Sequence, residues 1–292
     1  MAVFNLGSIN IDDVLRVPHL PKPGETLTAT SNMSGLGGKG ANQSVALAKS
    51  GAKVMHIGCV GDDGEAVTGQ LSAYGVDVSG ISRVPGPTGR AQIMVDDNGE
   101  NCIVILTGAN GQHSVASISD MLACALESDF LVLQNETNCQ PEAARIAKSK
   151  GMRVVYSAAP FDAEAVKAVL PFVSILLLNE VEAAQLCAAL ECDITALQVE
   201  GVAVTKGANG ATWHDLKAGT VVDLPSPQVT PIDTTGAGDT FAGYLIAGLD
   251  RGDLPLDALR FALAAGALAV TKEGATAAIP ELTEVRDLMA QN

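Results

Sequence analysis

Aromatic side chains are scarce, at 3% of 292 residues with one tryptophan, so stacked rings cannot build this core. Basic residues are also few. Lys and Arg number 18 against 33 Asp and Glu, for a formal charge of −15, which argues against general affinity for nucleic acid or anionic membranes. An anionic substrate would need local backbone and Lys donors to overcome that field. Six cysteines (Cys59, Cys102, Cys124, Cys139, Cys187, Cys192) form no C-x-x-C pair and read as reduced core thiols. The four histidines have no H-E-x-x-H spacing and there is no G-x-S-x-G elbow, which disfavours protein-ligated zinc and serine hydrolysis. No apolar run reaches the ~18 residues of a membrane span, and Val3-Phe4-Asn5-Leu6-Gly7 gives no basic, apolar leader. A soluble, cytoplasmic protein is expected. Repeats and low-complexity tracts are absent as well. What is abundant is Ala, Val, Leu and Gly within a 47% hydrophobic share, the composition of close-packed helices on a buried sheet. The length suits one large α/β domain with a small appendage.

One stretch organises the rest: Asp233-Thr234-Thr235-Gly236-Ala237-Gly238-Asp239, followed by the apolar run from Phe241 to Leu249. Two glycines two residues apart can turn backbone N–H groups towards one point. A buried helix starting there adds unpaired amides and the positive end of its dipole. Asp239 then puts a carboxylate where an anion would be welcome. It either stabilises the first helical turn, or stands beside an anion hole to receive a proton during phosphoryl transfer.

From the start, residues 3–6 read as a short strand, with Asn10 and Asp12 at its carboxyl end, where open α/β sheets place ligands. Two β-rich excursions follow, residues 11–35 and 89–107, the second carrying a hairpin signal at Asn98-Gly99. Together they predict a small β-sheet lid. The core is assigned to residues 1–10, 36–88 and 108–292. Between the excursions, Gly35-Leu36-Gly37-Gly38-Lys39-Gly40-Ala41-Asn42 opens a helix. Gly35, Gly37 and Gly40 satisfy G-x-G-x-x-G literally, yet they do not follow directly on the first strand, as a dinucleotide site requires. Nor is this a P-loop, because Lys39 precedes Gly40 rather than Ser or Thr. The turn could be purely structural; alternatively, Lys39 and Asn42 beside it suit a polyhydroxylated ligand.

Strands are then expected at residues 54–60, 130–133, 154–156, 174–178 and 202–205. Helices are expected at 64–74, 115–126, 141–150, 163–170, 180–190, 195–200, 254–272 and 282–290. This alternation implies an α/β fold, a mostly parallel sheet with helices on both faces. Polar groups recur after the strands: Glu136, Asn179 with Glu182, and Thr205-Lys206-Gly207-Ala208-Asn209-Gly210. Asn179 and Glu182 also match a capping box, and Gly207 and Gly210 can simply shape a turn.

Gly37-Gly38-Lys39-Gly40-Ala41-Asn42 and Asp233-Thr234-Thr235-Gly236-Ala237-Gly238-Asp239 together resemble the two signatures of the ribokinase-like carbohydrate kinases. Asn10, Asp12, Glu136, the Asn179 and Glu182 pair and the turn at residues 205–210 fall in that family's order, so the resemblance spans nearly the whole chain. It implies ATP-dependent phosphorylation, with the primary C5 hydroxyl of D-ribose as the favoured acceptor. Alternatives within the family are fructose, deoxyribose or an adenosine-type nucleoside; outside enzymology, a non-catalytic sugar-binding protein.

By the same resemblance, Asn10, Asp12, Gly38, Lys39, Asn42 and Glu136 would bind sugar. Asp239 would be the base, and Gly236, Ala237 and Gly238 the anion hole. Asn179 would act at the nucleotide phosphates and Glu182 at Mg²⁺ through water. Thr205, Lys206, Gly207, Ala208, Asn209 and Gly210 would line the ATP site, with residues 263–266 near adenine. Asp233, Thr235, Ala269, Lys272 and Gly274 would hold an activating K⁺. A homodimer through the lid is also implied. Two residues depart from the family pattern: Ala278 replaces a cation-ligating Ser, and Leu263 replaces a polar residue beside adenine.

Overall fold

The computed structural model describes residues 1–291. Thirteen strands are found among them: β1 (Ala2–Leu6), β2 (Asn10–Arg16), β3 (Ser31–Gly37), β4 (Lys53–Val60), β5 (Ile81–Arg83), β6 (Gly89–Val95), β7 (Asn101–Leu106), β8 (Phe130–Gln134), β9 (Arg153–Ser157), β10 (Ile175–Asn179), β11 (Gly201–Thr205), β12 (Ala211–Asp215) and β13 (Thr220–Leu224). The helices are α1 (Lys39–Lys49), α2 (Glu65–Ala73), α3 (Val115–Met121), α4 (Gln140–Ser149), α5 (Ala163–Val169), α6 (Glu180–Leu190), α7 (Ala237–Arg251), α8 (Pro255–Ala269) and α9 (Leu282–Gln291).

Nine strands make the large sheet, in the order β13-β12-β11-β10-β9-β8-β1-β4-β5. From β11 to β5 every neighbour runs parallel, whereas β12 and β13 are antiparallel. The β12–β13 hairpin and the short β5 are additions to the sequence reading. The period-two alternation of side chains splits the core into two faces. Val3, Val132, Val155, Leu177 and Ala203 pack with α1, α7 and α8. Phe4, Leu131, Tyr156, Leu176 and Val202 pack with α4, α5 and α6 on the other side. Helices thus cover both faces, as the alternating pattern required.

Two helical expectations are corrected. Residues 195–200 form no α-helix: a single 3₁₀ turn spans Ile194–Ala196, held by Asp193, whose carboxylate accepts from the Thr195 amide. The helix expected over residues 115–126 ends at Met121, after which the chain descends through tight turns towards Phe130.

The two excursions meet in a second sheet of four strands, ordered β3-β2-β6-β7. Each strand pairs antiparallel with its own hairpin partner, and β2 pairs parallel with β6 from Asn10 opposite Gly89. Both excursions leave the core side by side, so their first strands run the same way. The Asn98-Gly99 turn forms as expected, with Gly99 at φ 84° and the Asp96 carboxylate accepting from the amides of Asn98 and Glu100. All six residues of β7 are exposed, including Ile103, Val104 and Ile105.

Candidate active site

The helix α7 begins at Gly236, whose φ of 74° lies in the left-handed region that glycine enters without cost. The amides of Gly238 and Asp239 in the first turn have no hydrogen-bond acceptor among the described residues. A Cβ added at Gly238 would meet nothing within 4 Å, so the open space beside these donors belongs to the cavity. Unpaired amides, helix dipole and an open cradle together make an anion site.

Asp239 faces into that cavity from the same turn. Its neighbours are set by helix packing: a Cβ on Gly243 would fall 2.4 Å from the Ala46 Cβ, so this glycine lets α7 press onto α1. The approach brings α1 amides onto the carboxylate. Asn42 Nδ2 donates to Asp239 Oδ2 at 3.1 Å, and Gln43 Nε2 donates to Oδ1 at 3.0 Å. Burial raises the Asp239 carboxyl above the usual carboxylate range, against the opposing pull of Lys39, Gln43 and Asn42. Lys39 lines the same cavity as Asp239, Gly236, Gly238, Asn179 and Glu182. Burial alone would lower its ammonium, yet Asp239, Glu136, Glu182 and Asp12 raise it, so it stays charged.

The residues expected to bind sugar converge between α1 and the small sheet. Glu136 accepts from the Lys39 amide at 3.1 Å and from the Ser8 hydroxyl. Asn10 is buried and its Oδ1 accepts from Asn110 Nδ2 at 2.8 Å. Asp12 Oδ1 is a buried carboxylate oxygen with no hydrogen-bond partner among the described residues. Such an atom is costly unless a donor arrives, and a ligand hydroxyl supplies one. Burial first, then Glu136, Asp13 and Asp239, push the Asp12 carboxyl up to about 6. Asn10, Asn110 and Glu136 also line one mouth of this region with Asn138 and Pro160.

A third cavity, of about 270 Å³, lies on the other side of α7 and shares Thr205, Gly238 and Phe241 with the Asp239 chamber. Its walls are mainly apolar and include Gly207, Ala208, Gly210, Leu263 and Gly266. Lys206 and Asn209 do not line it; the Lys206 ammonium pairs instead with Asp223 on β13. The irregular segment 226–231 adds Pro227 and Val229. Sequence periodicity could not have flagged that segment, because it has none.

Asn179 and Glu182 do form a capping box, each side chain accepting from the other's amide, at 2.9 and 2.8 Å. They still line the Asp239 chamber, so the structural and functional readings hold at once. Burial, offset by Asn179 and Lys39, raises the Glu182 carboxyl. Asp233 accepts from the amides of Thr235 and Gly274, both at 2.9 Å, which ties the loop before α7 to the chain after α8. Burial would raise its carboxyl, but these bonds outweigh it and hold it low. Ile232 and Asp233 donate to the Val270 carbonyl, and Lys272 to that of Ala269, so the five residues of the expected cation loop lie together.

With this geometry in view, likeness to known proteins is informative. The family model of the pfkB family carbohydrate kinases matches residues 2–282. The chain belongs to that family. This kinase is 38% identical to a ribokinase of Haemophilus influenzae, with 97% of each chain covered. It is 29% identical to a deoxyribokinase of Salmonella typhi over the whole of both chains. Among solved structures, the Arabidopsis thaliana ribokinase complexed with ribose and ATP superposes with a TM-score of 0.85 at 28% identity, covering 99% of each chain. The resemblance drawn from the two glycine motifs is therefore correct, and the protein is a carbohydrate kinase.

Sequence reasoning missed Ser8, Gln43 and Asn110, which hold Glu136, Asp239 and Asn10. Gln43 had a local signal, since it sits beside Asn42 at the start of α1. Ser8 and Asn110 had none, because their partners lie 128 and 100 residues away.

Proposed function

We propose that this kinase transfers the γ-phosphoryl group of ATP to the C5 hydroxyl of D-ribose. The observation that carries the reading is the shared chamber: one carboxylate, a cradle of free amides and a charged lysine meet at the mouth of α7. The apolar cleft beyond Gly238 takes the adenosine end, lined by Thr205, Gly207, Ala208 and Gly210. The partnerless oxygen of Asp12 takes a sugar hydroxyl, and Asn10, Gly38, Lys39, Asn42 and Glu136 take the others. The ribose and ATP named with the Arabidopsis relative support both assignments.

In the reaction, Asp239 accepts the proton of the primary hydroxyl as that oxygen attacks phosphorus, and the ADP oxygen leaves in line. The amides of Gly236, Gly238 and Asp239 meet the charge that develops on the transferring group, and Lys39 adds its own; the Ala237 amide, expected in the anion hole, donates instead to the Thr234 carbonyl at 3.3 Å. Phosphoryl transfer asks mainly for alignment and charge stabilisation. Both are what this mouth offers.

Glu182, a carboxylate beside the phosphate cradle, suits Mg²⁺ held through water, and Asn179 would lie against the nucleotide phosphates. Held there, the cation would neutralise phosphate charge. Asp233, held ionised, fits K⁺ with Thr235 and the backbone of Ala269, Lys272 and Gly274, while fully buried Ala278 supplies no hydroxyl. The small sheet acts as a lid over residues 1–10, 36–88 and 108–292. Its exposed β7 edge would pair with a second copy, giving a homodimer. A cytoplasmic setting accords with the absence of a membrane-length apolar helix among the described residues.

A second reading, deoxyribose as acceptor, has one observation in its favour, the deoxyribokinase relative. ADP release measured over ribose, deoxyribose, fructose and nucleosides, with and without K⁺, decides. Ribose is expected to give the highest kcat/KM. A preference for deoxyribose would move the assignment, and sugar binding without ADP release would end the kinase mechanism.

A further inference from the structure

Behind Asp239 runs a chain of buried amides that the reaction scheme does not use. Gln43, which donates to Asp239 Oδ1, accepts at its own Oε1 from Gln134 Nε2 at 2.7 Å. The second hydrogen of Gln134 Nε2 goes to Asn5 Oδ1 at 2.8 Å. Asn5 Nδ2 then donates to Ser44 Oγ at 2.8 Å, and Ser44 lies 2.8 Å from His56 Nδ1. His56 Nε2 is 3.1 Å from the Gly7 carbonyl. All five side chains are 0% exposed.

Hydrogen-bond directions in this chain are forced. A carbonyl can only accept, so His56 Nε2 carries the proton and Nδ1 accepts from Ser44. Ser44 must therefore accept from Asn5, which fixes the Asn5 amide. Asn5 Oδ1 then needs a donor, which fixes Gln134 with both hydrogens committed. Gln43 Oε1 takes one of them, leaving Gln43 Nε2 free to point at Asp239. No amide can flip without breaking a neighbour. The seat of Gln134 is also tight, since a Cβ on Gly7 would fall 2.3 Å from its Oε1.

We propose that Gln134, acting through Gln43, is a positioning residue for the Asp239 carboxylate, holding its Oδ1 so that Oδ2 faces the sugar hydroxyl. The inference rests on Asp239 being the base. Isolated in an apolar interior, one glutamine could turn away from a carboxylate; five locked groups cannot. The remaining influences on Asp239 come from Lys39 and Asn42 on α1, Glu136 after β8 and Asp12 on β2, none of which belongs to the chain. His56 is held neutral, its imidazolium pushed down to about 4 by burial, so the directions persist through the neutral range.

The test is a double-mutant cycle with Gln43→Met, Gln134→Met and the pair, reading kcat, KM for both substrates and the acid limb of kcat against pH. Each single variant is expected to lower kcat about 10–100-fold with KM near wild type, the size of one lost hydrogen bond to a charge. The acid limb should move to higher pH, because a donor that favoured the ionised carboxylate is gone. The pair should lose no more than the worse single, since both cut one chain. Gln134→Glu keeps the shape but cannot donate twice, and should match Gln134→Met. If Gln43→Met does not fold, the Gln134 variants carry the same readouts.

Folded variants with unchanged kcat and acid limb, or losses that multiply in the pair, would overturn the proposal. Asp239→Asn separates the two layers. If it loses turnover while the Gln134 variants do not, only the positioning role fails. If it keeps turnover, the base assignment fails first.

Discussion

The mouth of α7 and the small sheet differ in how they are held. Twelve of the fifteen residues of α7 are buried, and the helix is wedged against α1 and α8 through glycines and alanines. In contrast, β7 is exposed along its whole length and the outer half of β3 is exposed too. One region fixes backbone amides and a carboxylate to within the tolerance that phosphoryl transfer needs. The other holds its place through strand pairing and a few side chains, notably Arg90, which bridges Asp13 of the small sheet at 2.9 Å and Asp63 of the core at 2.7 Å. Under the proposed function, chemistry would sit on the buried part, and covering and assembly would be left to the exposed one.

The largest expected effect lies at the mouth of α7. Gly238→Val adds a side chain whose Cβ meets nothing within 4 Å, so the fold should survive. Its methyl groups would fill the cradle, so turnover should fall roughly 10²–10³-fold with weaker ATP binding, a loss as large as that of an anion-hole donor. Near-normal kinetics in the folded variant would show that the cradle is not the phosphate site.

On the sugar side the expected effect is smaller and depends on pH. Asp12 titrates at about 6, so it is ionised above that value and loses acceptor strength below it. KM for the sugar should climb about tenfold per unit as pH falls below 6, with KM for ATP flat, and Asp12→Asn should remove the dependence. The sign for stability is opposite. A carboxyl raised on folding weighs against the native state above about 6, and this penalty fades as pH falls through that value.

At the exposed end, Ile103→Glu on β7 should halve the mass seen by light scattering while leaving the chemistry of one chain intact. A wild type that is already monomeric would remove the dimer. Arg90→Ala should have the least effect on stability, under about 1 kcal/mol by thermal unfolding, because the pair is partly solvated. Its trace should be a modest rise in sugar KM, if it steadies the small sheet.

What was legible in the sequence follows the same division. Gly236-Ala237-Gly238-Asp239 announced a helix start with free amides beside a carboxylate, because these features are neighbours in the chain. The run Ile175-Leu176-Leu177-Leu178 announced a strand covered on both sides, and the Asn98-Gly99 turn fell where expected. Residues 195–200 misled because Thr195-Ala196-Leu197 looks helical while Asp193 caps a single 3₁₀ turn. The β12–β13 hairpin escaped because each strand is five residues long and the turn between them, residues 216–219, carries no Asn-Gly or Asp-Gly signal. Least legible of all were Ser8 and Asn110: their roles come from partners brought together by the fold, and no local pattern encodes that.

The base assignment is tested most directly by Asp239→Asn, measured in one preparation for sugar binding, ATP binding and single-turnover rate. The account predicts binding of both substrates within a few-fold of wild type and a rate lower by roughly 10²–10⁴. A rate near wild type, with Asn42 and Gln43 unaltered, would contradict it.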